Sequence, residues 1–374
     1  MPDPLIFPGR LALQQRVLPA YRAPLFDLLA QSCAGGLDLF AGLARPEEII
    51  PDGAAKLQHA RYTAARNLHL LRGPLYLCHQ RGLIRWLEGC NPDALIVEAN
   101  PRYLATADAV RWMHRRGRPV IGWGLGAPLL SGPAAGLRYK RRIQFLGRFD
   151  ALVAYSRRGA EEYAALGFPA KMVFTAPNAV APRPVAPPPA RPADFTGRPC
   201  VLFVGRLQAR KRIDMLLRAC AALPAAIQPR LLIVGDGPAR AEFEALAREI
   251  YPAAEFPGAK HGAELAPYFA AADLFALPGT GGLAVQEAMT HGLPVIVAQG
   301  DGTQDDLVRP VNGWQVKPDD QPMLDETLRE ALSDLTRLRR MGAESYRIVA
   351  EEINLEKMVE SFVGVLNGLK SKSV

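Results

Sequence analysis

Arg206 and Lys211 stand just beyond the apolar run at 200–204, in the order Gly205-Arg206-Leu207 with the lysine a short turn later. A guanidinium fork and an ammonium point charge at the end of a strand suit the oxygens of a phosphate. Further along, Pro278-Gly279-Thr280-Gly281-Gly282-Leu283 leads into a helical pattern with Glu287 about one turn inside it. Glycines there make an open-backed loop, and the helix start behind it offers the N–H groups of Gly282, Leu283 and Ala284 to an anion. A carboxylate at Glu287, among apolar neighbours, needs donors, which a pair of ribose hydroxyls would supply. Singly, each feature has a plainer reading: Gly-Arg is common at turns, and the alternative for Glu287 is a structural hydrogen-bonding or exposed helix residue. Jointly they describe a grip on a nucleoside diphosphate, most simply one carrying a sugar.

Such a grip works only if parallel strands bring the two loops side by side. Short apolar runs at 11–15, 37–41, 94–98, 119–123, 151–154 and 172–175 read as strands, and so do 200–204, 231–234, 274–277, 294–297 and 314–316. Helical patterns separate most of them, which predicts right-handed crossovers and parallel sheets. The proline-dense stretch 181–199 can continue neither a helix nor a central strand and reads as an extended linker. The expected organisation is α/β: a doubly wound, Rossmann-like domain over 1–180, the linker 181–199, and a second such domain over 200–354 facing the first across a cleft. A helix over 355–369, in a tail spanning 355–374, is positioned to pack back on the first domain. The stretch 119–137 lacks charge and is long enough for a membrane span, but its five Gly and three Pro favour a strand running into a loop.

The order Gly205-Arg206-Leu207 with Lys211, then LLIVGDGP (231–238), AADLFALP (271–278) and QEAMTHGLPVIV (286–297), resembles the group 1 (family 4) glycosyltransferases of the GT-B fold. The likeness covers 200–370; the first half resembles the family more loosely, through Ser156, Asn178 and the strand rhythm. It implies a second domain that holds a nucleotide-diphosphate sugar, a first domain that holds the acceptor, and transfer with retention and no obligatory metal. No Asp-x-Asp occurs in the chain, in keeping with that. Residue by residue, Arg206 and Lys211 match the family's diphosphate pair. Glu287 matches the second Glu of its Glu-x7-Glu motif, the ribose ligand. Gly205, Gly258, Thr280, Gly281, Gly282 and Leu283 would complete the nucleotide-sugar wall, the loop of Gly258 and His261 reading the base mainly through backbone groups. The chain departs from the family where Gly279 stands in place of the first Glu, where Trp123-Gly124-Leu125-Gly126 offers no His, and where Pro8-Gly9 is all that remains of an amino-terminal glycine loop. In that mechanism Arg206, Lys211 and the helix start at Gly282 stabilise the departing diphosphate. No cofactor is implied beyond the nucleotide-sugar donor. The rival reading is a binding or scaffold protein that keeps the pocket without turnover.

The formal charge of +8 is uneven. Residues 1–178 carry 23 Lys/Arg and 13 Asp/Glu, a net of 23 − 13 = +10; the rest carry 22 and 24, a net of −2. Such asymmetry points to an anionic partner of the first half, a membrane surface or a phosphorylated acceptor, and no nucleic-acid-binding motif accompanies it. Arg138, Lys140, Arg141, Arg142 and Arg148 form the densest group, which reads as a lipid-facing amphipathic surface or as a solvated helix face. For the acceptor, Tyr21 and Arg22 open the first helix and Glu98 ends the strand at 94–98, where site residues collect. Five scattered Cys with no Cys-x-x-Cys pair fit a reducing compartment and no metal cage. With no basic-then-apolar leader, the expected location is the cytoplasm, with attachment to the inner face of a membrane.

Overall fold

Strands apolar along their whole length must be covered on both faces, and the computed structural model covers them with helices on two separate sheets. The structure describes residues 5–48, 50–132, 134–191, 197–300 and 302–370. One unit comprises 1–180 and 355–374, the other 181–354.

In the first unit the strands are β1 (Leu11–Val17), β2 (Leu37–Gly42), β3 (Arg61–Leu70), β4 (Leu77–Arg81), β5 (Ala94–Glu98), β6 (Val120–Gly124), β7 (Ala151–Ala154) and β8 (Val173–Thr175). They lie in the order β4-β3-β2-β1-β5-β6-β7-β8. Every pairing is parallel except that of β3 with β4. In the second unit β9 (Cys200–Val204), β10 (Arg230–Val234), β11 (Ala254–Gly258), β12 (Leu274–Leu277), β13 (Val295–Ala298) and β14 (Gly313–Val316) form an all-parallel sheet ordered β11-β10-β9-β12-β13-β14. Each sheet reverses its winding once, between β1 and β5 and between β9 and β12. Those are the crevices where doubly wound sheets hold ligands.

Strands legible as apolar runs fall within one or two residues of their expected ends. β3, β4 and β11 have no apolar signature. Where β3 and β4 pair they mix Arg, Asn, His and Gln with Leu, and only Cys78 and Gln80 of that antiparallel pair are buried. β11 (Ala-Glu-Phe-Pro-Gly) is an edge strand, where a proline is tolerated.

The helix Leu355–Lys370 belongs to the first unit and packs on the helix Ala23–Gln31. Phe362 meets the Trp123 ring edge-on at 5.2 Å between centroids. Over 181–191 the proline-dense segment belongs to the second unit and is tied to it. Arg191 donates to the carbonyls of Phe269, Ala270 and His291 at 3.0, 3.1 and 2.8 Å, and Tyr346 donates to Ala186 O at 2.8 Å. Residues 192–196 of that expected linker, and 371–374 of the tail, lie outside the described residues. Within 119–137, β6 runs into a loop and then into the helix Ala135–Leu146. Among the described residues no helix is long and apolar enough to cross a membrane.

Candidate functional site

Because β9 and β12 are neighbours, the loops that follow them meet. Thr280 N donates to Arg210 O at 3.1 Å, and Arg210 Nη1 returns a bond to Thr280 O at 3.1 Å. Lys211, 5% exposed, sends Nζ to Thr280 O at 2.9 Å and also donates to Gly281 O. An ammonium has three donors, so one remains for a phosphate. Burial, with the Arg210 charge beside it, lowers the Lys211 pKa to about 8. Gly279 is where the two loops press closest. A Cβ there would lie 2.2 Å from Arg210 O and 2.4 Å from Lys211 Cα, so no side chain fits. Gly281, at φ +65°, takes the left-handed turn that exposes the loop backbone.

Arg206 is exposed and makes no hydrogen bond or ion pair to any described residue, which leaves its fork free for an anion. Gly205 N donates to Val234 O at 3.0 Å. Gly235, after β10, lies backbone-on-backbone against Gly205, and a Cβ on it would reach within 1.9 Å of Gly205 O. Gly258 O in turn accepts from Gly235 N at 2.9 Å. Gly258, Gly235 and Gly205 thus line one carboxyl edge. Gly235 was absent from the site expected from sequence, although the GDG in LLIVGDGP was its signal.

The loop Thr280–Leu283 is solvent-facing, with Leu283 at 45% exposure, and leads into the short helix Ala284–Thr290. Gln286 anchors that helix, accepting from Ala181 N and donating to Ile353 O, both at 2.9 Å. Glu287 is half-buried, and its carboxylate has no hydrogen-bond partner among the described residues. Burial pushes its pKa up against the opposing pull of His291. A carboxylate desolvated without donors is a poor resting arrangement, and a vicinal diol would relieve it. His261 is exposed and only starts a turn, its N–H donating to Glu264 at 3.3 Å.

Two further residues were not legible in sequence. Arg212 (φ +54°) and Asp319 (φ +61°) both hold the left-handed conformation that non-glycine residues resist, and they form an ion pair with each other. They border a cavity of about 620 Å³ together with Arg210, Phe243 and Gly279. Thr280 of the expected nucleotide wall lines it as well, whereas Arg206 and Glu287 do not, so the cavity adjoins that wall on its Thr280 side.

In the first unit Glu98 sits at the β1–β5 reversal and accepts from Arg16 N. Burial raises its carboxyl pKa to about 7, against the Arg16 N–H bond and the Arg16 and Arg22 charges. It lines a cavity of about 610 Å³ with Arg102, Tyr103, Trp123, Arg142 and Tyr155. The indole N–H of Trp123 is buried there without a partner. Arg22, a candidate acceptor residue, is an interior residue at 5% exposure. It donates to Asn178 Oδ1 at 2.6 Å and lies over the rings of Trp123 and Tyr155 at 5.1 and 5.5 Å. Tyr21 stays at the surface, 39% exposed and outside the cavity lining. Ser156 caps the helix Arg157–Ala165 by accepting from Gly159 N at 3.1 Å. Among the described residues no three His, Cys, Asp or Glu side chains gather as a metal-binding group.

Two doubly wound sheets, parallel but for the β3–β4 pair and each reversing its strand order once, are the GT-B glycosyltransferase fold. The same architecture occurs in the crystal structure of Anabaena HepE in complex with UDP, with a TM-score of 0.70 at 18% identity over 96% of this chain and 99% of that one. Residues 189–348 match the sequence profile of Glycosyl transferases group 1, and the second unit belongs to that family. Among curated relatives, a GDP-mannose-dependent alpha-mannosyltransferase of Mycobacterium tuberculosis is 42% identical over 117 residues, 30% of this chain and 29% of its own. A GDP-mannose-dependent monoacylated alpha-(1-6)-phosphatidylinositol monomannoside mannosyltransferase of Corynebacterium glutamicum is 33% identical over 179 residues, 45% of this chain and 47% of its own. The chain thus spans less than half the length of each of these two relatives.

Proposed function

We propose that the chain is a retaining, metal-independent glycosyltransferase. It moves a hexosyl or pentosyl group from a nucleotide-diphosphate sugar to a lipid-linked or polysaccharide acceptor in envelope glycan biosynthesis. It works in the cytoplasm, at the inner face of the membrane. The observation that carries this reading is the second unit's carboxyl edge, where unpaired Arg206, the remaining donor of Lys211 and the partnerless carboxylate of Glu287 accompany an exposed glycine loop. That set matches a diphosphate and a ribose, and the mannosyltransferase relatives make GDP-mannose the first donor to try.

In the reaction the bond from the anomeric carbon to the diphosphate breaks, the acceptor hydroxyl oxygen bonds to the same face, and the hydroxyl proton leaves with the departing diphosphate. Negative charge grows on the departing diphosphate, and fixed cations around it stabilise that charge where it develops. Arg206 and Lys211 supply the cations, Thr280–Leu283 the backbone donors, and Glu287 the ribose anchor. Gly205 and Gly258 leave room for the nucleotide. The acceptor lies with the first unit, in the cavity of Glu98.

Thermal shift with GDP-mannose and a set of UDP- and TDP-sugars tests the donor, since a ligand of the native state raises its melting temperature. Transfer by the stabilising donor, with product anomers read by NMR and EDTA added, tests retention and metal independence. Gly279, with no room for a carboxylate, keeps one rival alive: a nucleotide-sugar-binding scaffold. Donor binding without transfer to any envelope glycan or lipid-linked acceptor would favour it.

A further inference from the structure

The hairpin of β3 and β4 forms one edge of the first sheet, and only part of it is paired with the rest of that sheet. The first part of β3 pairs with β2, from Asp38 with Arg61 to Gly42 with Ala65; the rest pairs only with β4, from Arg66 with Arg81 to Leu70 with Leu77. The hairpin therefore runs on past the carboxyl end of β2. Its inner face is fixed. Asn67 donates to Arg16 O at 2.8 Å, Gln80 to Gln15 O at 2.9 Å, and Cys78 N to Arg102 O at 2.9 Å. The opposite face carries Arg66, Leu68, Leu70, Leu77, His79 and Arg81, since alternate residues share a face.

That outer surface is unusual in two respects. Arg66 and Arg81 are directly opposite each other, both exposed and neither paired with an acid among the described residues. Like charges so placed destabilise an antiparallel pair. Between Asp52 and Glu88 the chain has no acidic residue at all, against Lys56, Arg61, Arg66, Arg72, Arg81 and Arg85, of which Arg61 is paired with Asp38 at 2.8 Å. At the tip, Leu70, Leu71 and Leu75 are 44%, 62% and 70% exposed. The tip is nonetheless built: His69 and Tyr76 hydrogen-bond at 2.8 Å, and the Arg45 guanidinium covers the Tyr76 ring at 5.1 Å.

We infer that the β3–β4 hairpin docks on an anionic lipid bilayer, its leucine tip entering the headgroup boundary and its arginines meeting acidic lipid. Bare aliphatic side chains flanked by unneutralised cations match such an interface in both of its properties. The docked hairpin also places the acceptor cavity, because β4 is bonded to the Arg102–Leu104 loop on the cavity wall. This deepens the acceptor side of the proposed function and rests on it only for what the membrane supplies, a lipid-linked substrate.

Flotation with phosphatidylcholine vesicles and with vesicles doped with phosphatidylglycerol tests it, using the full chain. Wild type should float only with the doped vesicles. Leu71→Ser with Leu75→Ser, and separately Arg66→Glu with Arg81→Glu, should each lower vesicle affinity about tenfold or more. Melting temperatures check that these surface variants fold, and Leu75→Trp should shift its emission to the blue on doped vesicles alone. Wild type that ignores doped vesicles overturns the inference. So does loss of binding in Arg141→Glu with Arg142→Glu while the hairpin variants still bind, or capture by polyglutamate that is indifferent to the leucines. Nucleotide-sugar thermal shifts on the same proteins separate the readings: unchanged shifts alongside lost flotation locate a failure in docking, and absent shifts with intact flotation locate it in the donor site.

Discussion

Lys211 Nζ lies 2.9 Å from the carbonyl oxygen of Thr280, so the lysine that faces the expected diphosphate also fastens the glycine loop. Arg206 has no such second task. Arg206→Ala should lower turnover roughly 100-fold with the melting temperature unchanged, as for loss of one transition-state donor. Lys211→Ala should lower turnover similarly and also destabilise the second unit by about 1–3 kcal/mol, since it leaves loop carbonyls short of a donor. Initial rates and thermal melts on the two variants separate the roles.

The depressed Lys211 pKa of about 8 gives a second check. Phosphate binding needs the charged amine, so donor affinity should fall as pH rises through that value. Lys211→Arg stays charged and should flatten the profile. Calorimetric titration across pH 7–9.5 reads the difference, and identical slopes would exclude Lys211 from the phosphate.

Glu287→Gln should weaken nucleoside diphosphate binding by about 1–3 kcal/mol if the carboxylate accepts from ribose hydroxyls. Its pKa is raised by burial. Acidification should therefore cost affinity at a higher pH than for an ordinary carboxylate, and the Gln variant should lose that dependence. Unchanged affinity in the variant makes Glu287 structural.

Glu98 has its folded-state pKa raised to about 7, so between the unfolded value and 7 the native state holds more protons than the unfolded one. Wild-type stability should then decline as pH rises through that window. Glu98→Gln removes the penalty and should be more stable than wild type by about 1–3 kcal/mol at pH 8, with little difference at pH 4. Urea unfolding at the two pH values decides it.

Arg212 and Asp319 combine backbone strain with an ion pair, and substitutions can separate the two. The left-handed conformation costs a non-glycine residue about 1–2 kcal/mol, whereas a half-exposed ion pair contributes at most about 1 kcal/mol. Arg212→Gly should therefore be more stable than Arg212→Ala, by about 1 kcal/mol. If the glycine variant is no better, the strain reading fails.

The central strands and the two loops flanking the β9–β12 reversal were legible because full burial forces continuous apolar runs and a close backbone approach forces glycine. β3 and β4 were not, because a half-exposed antiparallel pair can be written with Arg, His and Asn. Arg22 looked like a surface cation at a helix start. Only the tertiary packing of Trp123 and Tyr155 makes it an interior one. Arg212 and Asp319 are separated by more than a hundred positions, and left-handed conformation in such residues has no sequence signature.

The contact at Gly279 bears on how the chain can be altered. The atoms that a new Cβ would strike belong to main chain, at Arg210 and Lys211, and main chain cannot swing aside as a side chain can. The loops after β9 and β12 must therefore be exchanged together. A chimera that grafts a loop with a carboxylate at position 279 onto 278–283 should misfold locally unless the turn at 209–211 comes from the same donor.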